Sequence, residues 1–284
     1  MTEPPFYRIG PERPVVPVVL SVPHAGRDYD ASLLRSARVP VSVLEALEDR
    51  LVDRLIWRAV ASGATAFVAT VPRASIDLNR DEREVDPAMV APPPPADSLL
   101  PSARTRGGLG LVPARIAGAG ALWRGRISRD ELNRRVESIH RPFHAALASA
   151  LTAARQRFGA AILLDCHSMP PRPQGADHST IIFGDRHGAT IAPNLLEAAL
   201  AAARNLGFAA SCNEPYAGGH VIERHGRPAD RIHALQVEID RSAYLDQTLK
   251  DPGPGFDQVA RLIAAITEAL SSAVIGPPTA IAAE

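Results

Sequence analysis

The chain has 284 residues, enough for one large domain or two small ones, and 46% hydrophobic content with 22% charge suits a globular protein with a sizeable core. Lysine plus arginine equals aspartate plus glutamate at 31 each, so no global charge argues for nucleic acid or an anionic membrane as partner. Cys166 and Cys212 show neither CxxC spacing nor a disulfide framework, no basic-then-apolar leader opens the sequence, and no apolar run approaches the roughly 20 residues that span a bilayer, so a cytoplasmic location is expected.

VVPVVLSVPHAG opens the fold. Residues 15–22 are β-branched and apolar, which predicts a strand that Pro23 and Gly26 end, placing His24 at its carboxyl end. Residues 41–62, VSVLEALEDRLVDRLIWRAVAS, carry Val43, Leu44, Leu47, Leu51, Leu55 and Ile56 at spacings of three and four, which predicts a helix. Ser42 and Glu45 form a capping-box pattern at its start, and Gly63 stops it. Asp49 and Asp53 share a face of that helix, with Glu48 about 100° away from Asp49. Such a face reads either as solvated, pairing with Arg50 and Arg54, or as the source of one carboxylate for a common centre.

ATAFVATV, residues 64–71, is the next strand, and PRASIDLNR follows it. The guanidinium of Arg80 matches a carboxylate bidentately, the Asn79 amide adds a donor, and Arg73 lies just upstream. Residues 81–127 are irregular and proline-rich, a loop long enough to be functional and here expected to be a lid or insert. Their GGLGLVPARIAGAG run follows no clear strand, lacks a GK[ST] ending and matches no GxGxxG, which argues against nucleotide binding.

Residues 128–157 read as one long helix or two, capped by Ser128 with Glu131 and kinked or divided at Pro142. His140 and His144 stand at i, i+4, but no HExxH accompanies them and packing is the favoured reading. AILLDCHSMP, residues 161–170, is a short apolar run ended by prolines, hence a buried strand, and Asp165 and His167 project from one face at its carboxyl end. Carboxyl ends of strands are where open α/β sheets bind ligands; a neutral imidazole there is a natural metal ligand or acid/base group, and a neighbouring carboxylate fixes its tautomer.

Strand 179–185 and an alanine-rich helix 193–207 come next, and the paired glycines of GGHVIERHG suggest close backbone approach. In HALQVEIDRSAYL, residues 233–245, Leu235, Val237 and Ile239 face one way and Gln236, Glu238 and Asp240 the other. Glu238 is therefore either a base facing a cleft or a polar residue on an edge strand. A last helix falls near 255–274, and the tail at 276–284 is expected to fray. Helices alternating with strands predict an α/β fold over residues 1–284 as a single domain, with a central, mostly parallel mixed sheet flanked by helices.

The ordered set SVPHAG, acidic helix, IDLNR, LLDCHS, GGHVIERHG and QVEIDRSAY, spanning most of residues 15–246, resembles the N-formylglutamate amidohydrolase (deformylase) family. The resemblance implies a phosphorylase/hydrolase-like, zinc-carboxypeptidase-like architecture akin to the succinylglutamate desuccinylase and aspartoacylase enzymes. It also implies one zinc per chain on His24, Asp49 and His167, the two-histidine, one-carboxylate pattern that leaves a position for water. Glu238 would be the general base, and Asn79 and Arg80, with Arg73 as a further candidate, would hold the substrate carboxylate. Asp165 would orient His167, and His220 and Arg224 would line the pocket. The implied reaction is hydrolysis of an N-acyl amino acid, N-formylglutamate giving formate and glutamate as in histidine breakdown. Other N-acyl amino acids, a carboxypeptidase-like reaction and a silent metal- or ligand-binding homologue are the alternatives. The segment RTRGGLGLVPARIAGAGALWRG departs from the Thr and Cys-Pro of the best-matched deformylases, at a place expected to shape the acyl or side-chain pocket.

Overall fold

The computed structural model describes residues 4–116, 118–172 and 179–276. Its centre is a sheet of seven strands: β1 (Phe6–Ile9), β2 (Val18–Val22), β3 (Thr65–Ala69), β4 (Ala161–Met169), β5 (Ile181–Gly184), β6 (Ala210–Cys212) and β7 (Ile232–Asp240). They lie in the order β1-β3-β2-β4-β7-β5-β6. The run β3-β2-β4-β7 is parallel, β1 pairs antiparallel with β3, and β5 pairs antiparallel with β7 and parallel with β6. This is the mostly parallel mixed sheet that the alternation of elements predicts. The weakly patterned edge strands β1 and β6 are the two that the sequence reading did not contain.

Helices cover both faces, as parallel sheets require. On one face, α1 (Arg141–Phe158) packs Phe143, Leu147 and Leu151 against Val19, Phe67 and Leu163. On the other, α2 (Pro193–Asn205) and α4 (Phe256–Ile275) pack against Leu20, Leu164 and Val237, and α3 (His220–His225) lies beyond β6 in sequence. By length and composition α4, at mean hydropathy 1.4, could cross a membrane, contrary to the reading that no run comes close. Its Val259, Ile263, Ile266 and Leu270 are fully buried in this core, as in the core helix of a globular domain.

The register aligns the ends of β2, β4 and β7. Ser21 pairs with Asp165, and His167 pairs with Glu238, so the residues that follow β2 meet those ending β4 and β7. β7 is an interior strand with every residue buried, which removes the edge-strand reading of Glu238.

Two helix expectations change. Ser128 Oγ does accept from Glu131 N at 3.1 Å, but the helix it caps ends at Arg135, a π turn runs through Val136–His140, and Pro142 then stands in the first turn of α1. The larger change is at 41–62. Helix runs only through Val41–Leu44, followed by a 3-10 turn at Glu45–Leu47 and short helices at Val52–Leu55 and Trp57–Ala61. The cap is Pro40, without the Ser42 side chain. Between the pieces Glu48 is extended (ψ 149°), Asp49 N donates to His24 O at 2.9 Å, and Leu51 is left-handed (φ 61°). A tertiary hydrogen bond to β2's end overrides the local periodicity there. The tail after Gly276 lies outside the described residues.

Candidate active site

At the carboxyl ends of β2 and β4, His24 Nδ1, Asp49 Oδ2 and His167 Nδ1 converge. Asp49 Oδ2 is 3.3 Å from His24 Nδ1 and 2.8 Å from His167 Nδ1, and the two rings stand 4.8 Å apart, centroid to centroid. All three residues are buried. The broken helix is what delivers Asp49. Its other oxygen, Oδ1, is held by Ser168 Oγ at 3.1 Å and lies 3.6 Å from Arg241 Nη2, which turns Oδ2 toward the rings. Glu48 points elsewhere, to Tyr29 and Arg50, and Asp53 pairs with Arg27.

Behind each imidazole stands a second carboxylate. Asp77 Oδ1 is 2.7 Å from His24 Nε2, and Asp165 Oδ2 is 2.8 Å from His167 Nε2. In a neutral ring each would take the Nε2–H and leave the Nδ1 lone pair free to face a metal ion at the centre. His24 Nδ1 is buried with no hydrogen-bond partner. Three convergent donors backed by carboxylates fit a metal ion of the kind that imidazole and carboxylate hold.

The charges are set by the same contacts. Burial raises the Asp49 carboxyl, but the His167 and His24 imidazoles beside it outweigh burial and hold it well below its ordinary range. Burial likewise opposes charge on His167, yet Asp165 and Asp49 hold the ring well above the usual imidazole value. Glu238 goes the other way: burial pushes it up to about 7, against the pull of His167. Its Oε1 accepts from Gln236 Nε2 at 2.8 Å.

Glu238 and the convergent trio line a cavity of about 350 Å³ with Arg73, Arg80, Arg104, Arg115 and Arg241. Asp77 again organises the first two, accepting from Arg73 Nε at 2.9 Å and standing 3.9 Å from Arg80 Nη2, and it also accepts from Asn79 N at 2.8 Å. Arg80 is clamped by Nε to Leu109 O and by Nη1 to Asn79 O, while its buried Nη2 has no hydrogen-bond partner. Asn79 is committed within the protein: Oδ1 accepts from Val221 N at 2.8 Å, and Nδ2 donates to Gln236 Oε1 at 3.3 Å beside His167. A Cβ on Gly219 would fall 2.3 Å from Asn79 Nδ2, so the predicted close approach at the paired glycines is to this side chain.

His220 and Arg224 are not brought to the cavity. The His220 ring lies against His140 and His144, and Arg224 is exposed on α3. The helix starting at His220 turns both away from the cavity that Gly219 lines. Conversely, Asp77, Arg104, Arg115, Tyr216 and Arg241 are site residues that sequence reasoning did not single out, although Asp77 begins the Asp-Leu-Asn-Arg motif and Arg241 follows Glu238 by three.

A family profile described as N-formylglutamate amidohydrolase matches residues 16–245. The chain belongs to that family. The N-formylglutamate deformylase of Pseudomonas putida is 32% identical over 240 residues, covering 82% of this chain and 83% of that protein. The Pseudomonas aeruginosa deformylase is 30% identical over 244 residues with the same coverage. The crystal structure of N-formylglutamate amidohydrolase from Ralstonia eutropha JMP134 matches with a TM-score of 0.86 at 34% identity, covering 95% of this chain and 98% of that one. Within this amidohydrolase fold, the segment from residue 104 to 116 is part of the cavity wall: it contributes Arg104, Gly107, Leu109, Arg115 and Ile116.

Proposed function

We propose that this chain is a metal-dependent amidohydrolase that cleaves N-formylglutamate to formate and glutamate. The observation that carries the reading is the convergence of His24 Nδ1, Asp49 Oδ2 and His167 Nδ1 in one cavity with Glu238 and five arginines, in a member of this family. His24, Asp49 and His167 would hold one zinc ion; when bound, such an ion polarises a carbonyl and lowers the pKa of water to about 7.

The chain's own residues do the rest. Glu238, buried and raised toward neutrality, takes a proton from the attacking water and returns it to the amine nitrogen as the amide C–N bond breaks. Arg80 offers Nη2, which makes no hydrogen bond within the protein, to one substrate carboxylate, with Arg73 beside it on Asp77. Arg104, close enough to Arg80 and Tyr216 to act on both electrostatically, faces the other carboxylate from the segment 104–116. A dicarboxylate held at both ends has little freedom at its amide, which converts binding into orientation. Asn79 positions His167 and α3 and does not itself grip substrate.

The test is formate release from N-formylglutamate by purified protein, before and after chelation and zinc add-back. Release that chelation abolishes and zinc restores is expected. Zinc-loaded protein that releases no formate refutes the substrate assignment.

A further inference from the structure

The segment that lends Asn79 to His167 lends its backbone to a second set of imidazoles. His140 Nε2 donates to Arg80 O at 2.8 Å, and His144 Nε2 donates to Leu78 O at 3.0 Å. A carbonyl only accepts, so both rings carry their proton on Nε2 and keep a lone pair on Nδ1. The π turn at Val136–His140 brings His140 round to the face of His144, and π turns of this kind occur often at functional sites. The rings of His140 and His144 stand 4.5 Å apart, and His220 closes the group at 5.3 Å from His144. One ligand atom of each lies within 4.8 Å of the other two.

Two of these nitrogens have nothing to bond. His140 Nδ1 and His220 Nε2 are buried without a partner, and the His140 residue is fully buried. Each such atom costs about 1–3 kcal/mol, so two in one group of three ask for a common occupant. The third lone pair, His144 Nδ1, is met by His225 Nε2 at 3.0 Å. Lone pairs on backbone-anchored imidazoles are how metal-binding histidines are prepared. We propose that His140, His144 and His220 form a second metal site, separate from the cavity, for a borderline divalent ion such as zinc or cobalt(II). His140 and His144 bind through Nδ1, and His225 gives up its contact with His144.

Burial, with Arg224 adding to it, keeps the rings neutral: His220 is pushed down to about 4 and His225 to about 3, and His140 and His144 are lowered as well. Asp81 near His220 and Glu82 near His140 offset the Arg224 charge. Three nitrogen donors without a carboxylate suit zinc, cobalt(II) or nickel(II) and not magnesium or calcium. The ion would tie α1 and α3 to the Asp-Leu-Asn-Arg segment, a structural role that does not depend on which substrate the cavity takes.

The test is metal stoichiometry by mass spectrometry on protein stripped, loaded with zinc or cobalt(II) and desalted. Two ions per chain are expected in the wild type, one in His220→Ala, one in His140→Gln, and one in His167→Ala. His167→Ala losing one ion while retaining another separates this site from the cavity's, and the cobalt absorption of that variant should report nitrogen ligands. His220 is only half-buried at the start of α3, so its variant keeps the core intact. A wild type that loads one ion, with His220→Ala loading as much, overturns the proposal and leaves a water as the occupant; so does retention of both ions in His220→Ala and His140→Gln.

Discussion

Asp77 offers the sharpest test, because one buried carboxylate serves two functions. It is fully buried, with Oδ1 at 2.7 Å from His24 Nε2 and accepting from Asn79 N, and Oδ2 accepting from Arg73 Nε at 2.9 Å with Arg80 Nη2 at 3.9 Å. Asp77→Asn is nearly isosteric and has two orientations, both poor. With the amide nitrogen toward Arg73, donors face donors and a largely buried guanidinium loses its anion. With the nitrogen toward His24, the ring must accept at Nε2, and its proton moves to Nδ1, where the metal would sit. Removing one partner of a buried ion pair costs about 3–5 kcal/mol, and Arg73's partial exposure argues for the lower end, about 3 kcal/mol. Loss of the group orienting a histidine ligand loosens metal binding by about 10–100-fold. Asp77 is held well below its ordinary value: burial opposes this, and Arg73, His24 and Arg80 outweigh it. A depressed carboxyl stabilises above its unfolded pKa, so the gap between wild type and variant should be full at pH 7 and close as pH falls through the folded value below 3.8. Urea unfolding of metal-free protein across that range measures the first effect, and competition with a chromophoric chelator the second. Equal midpoints at pH 7 together with metal affinities within twofold would refute the role given to Asp77.

Glu238→Gln should retain metal and lose about 100-fold or more in kcat, as removal of a general base does; a near-native rate excludes it as the base. Because the base must be ionised, kcat/KM should fall as pH drops, with an acid limb between the ordinary 4.5 and about 7, and a limb below 4.5 contradicts the burial argument. Gly219→Ala, at φ −109°, meets no backbone strain but must displace Asn79, and shifts of about 1 Å in such a site cost up to about 100-fold; unchanged kinetics would show that Asn79 has room to move. Arg104→Ala should raise KM for N-formylglutamate by about tenfold, roughly 1.4 kcal/mol, and leave the weaker hydrolysis of an N-formyl monocarboxylate alone; equal effects on both would place Arg104 outside side-chain recognition.

Much of this site was legible because its residues end strands. VVLSVPH and AILLDCHSMP announce themselves as short apolar runs stopped by proline, and parallel register then aligns His24, His167 and Glu238. Asp49 was legible as a candidate but on a wrong premise. The apolar spacing of 41–62 is helical, and what breaks the helix is a hydrogen bond from Asp49 N to His24 O, which no local pattern encodes. Arg104 and Arg115 belong to a segment with little regular structure, placed by burial of Leu111 and Leu122, so their sequence neighbours say nothing of the cavity. The family resemblance implies His220 and Arg224 in the pocket through the GGHVIERHG motif, but the helix that begins at His220 turns them away from the cavity that Gly219 lines.

The four residues from Asp77 to Arg80 explain why so short a motif carries so much information. They form neither helix nor strand, so no ladder consumes their backbone groups, and several of their polar groups reach separate elements of the fold. Asp77 N donates to Leu111 O, and its carboxylate fixes His24 at the end of β2. Leu78 O and Arg80 O fix the two histidines of the π turn and α1. The Asn79 side chain joins β7 through Gln236 and α3 through Val221 N. Among the buried side-chain nitrogens and oxygens of these four residues, Arg80 Nη2 is the one with no hydrogen-bond partner, on a residue that lines the cavity. A substitution at Asp77 or Asn79 breaks side-chain contacts to two separate parts of the fold at once, and Arg80 Nη2 stays free for a ligand while Nε and Nη1 are used to hold the guanidinium still.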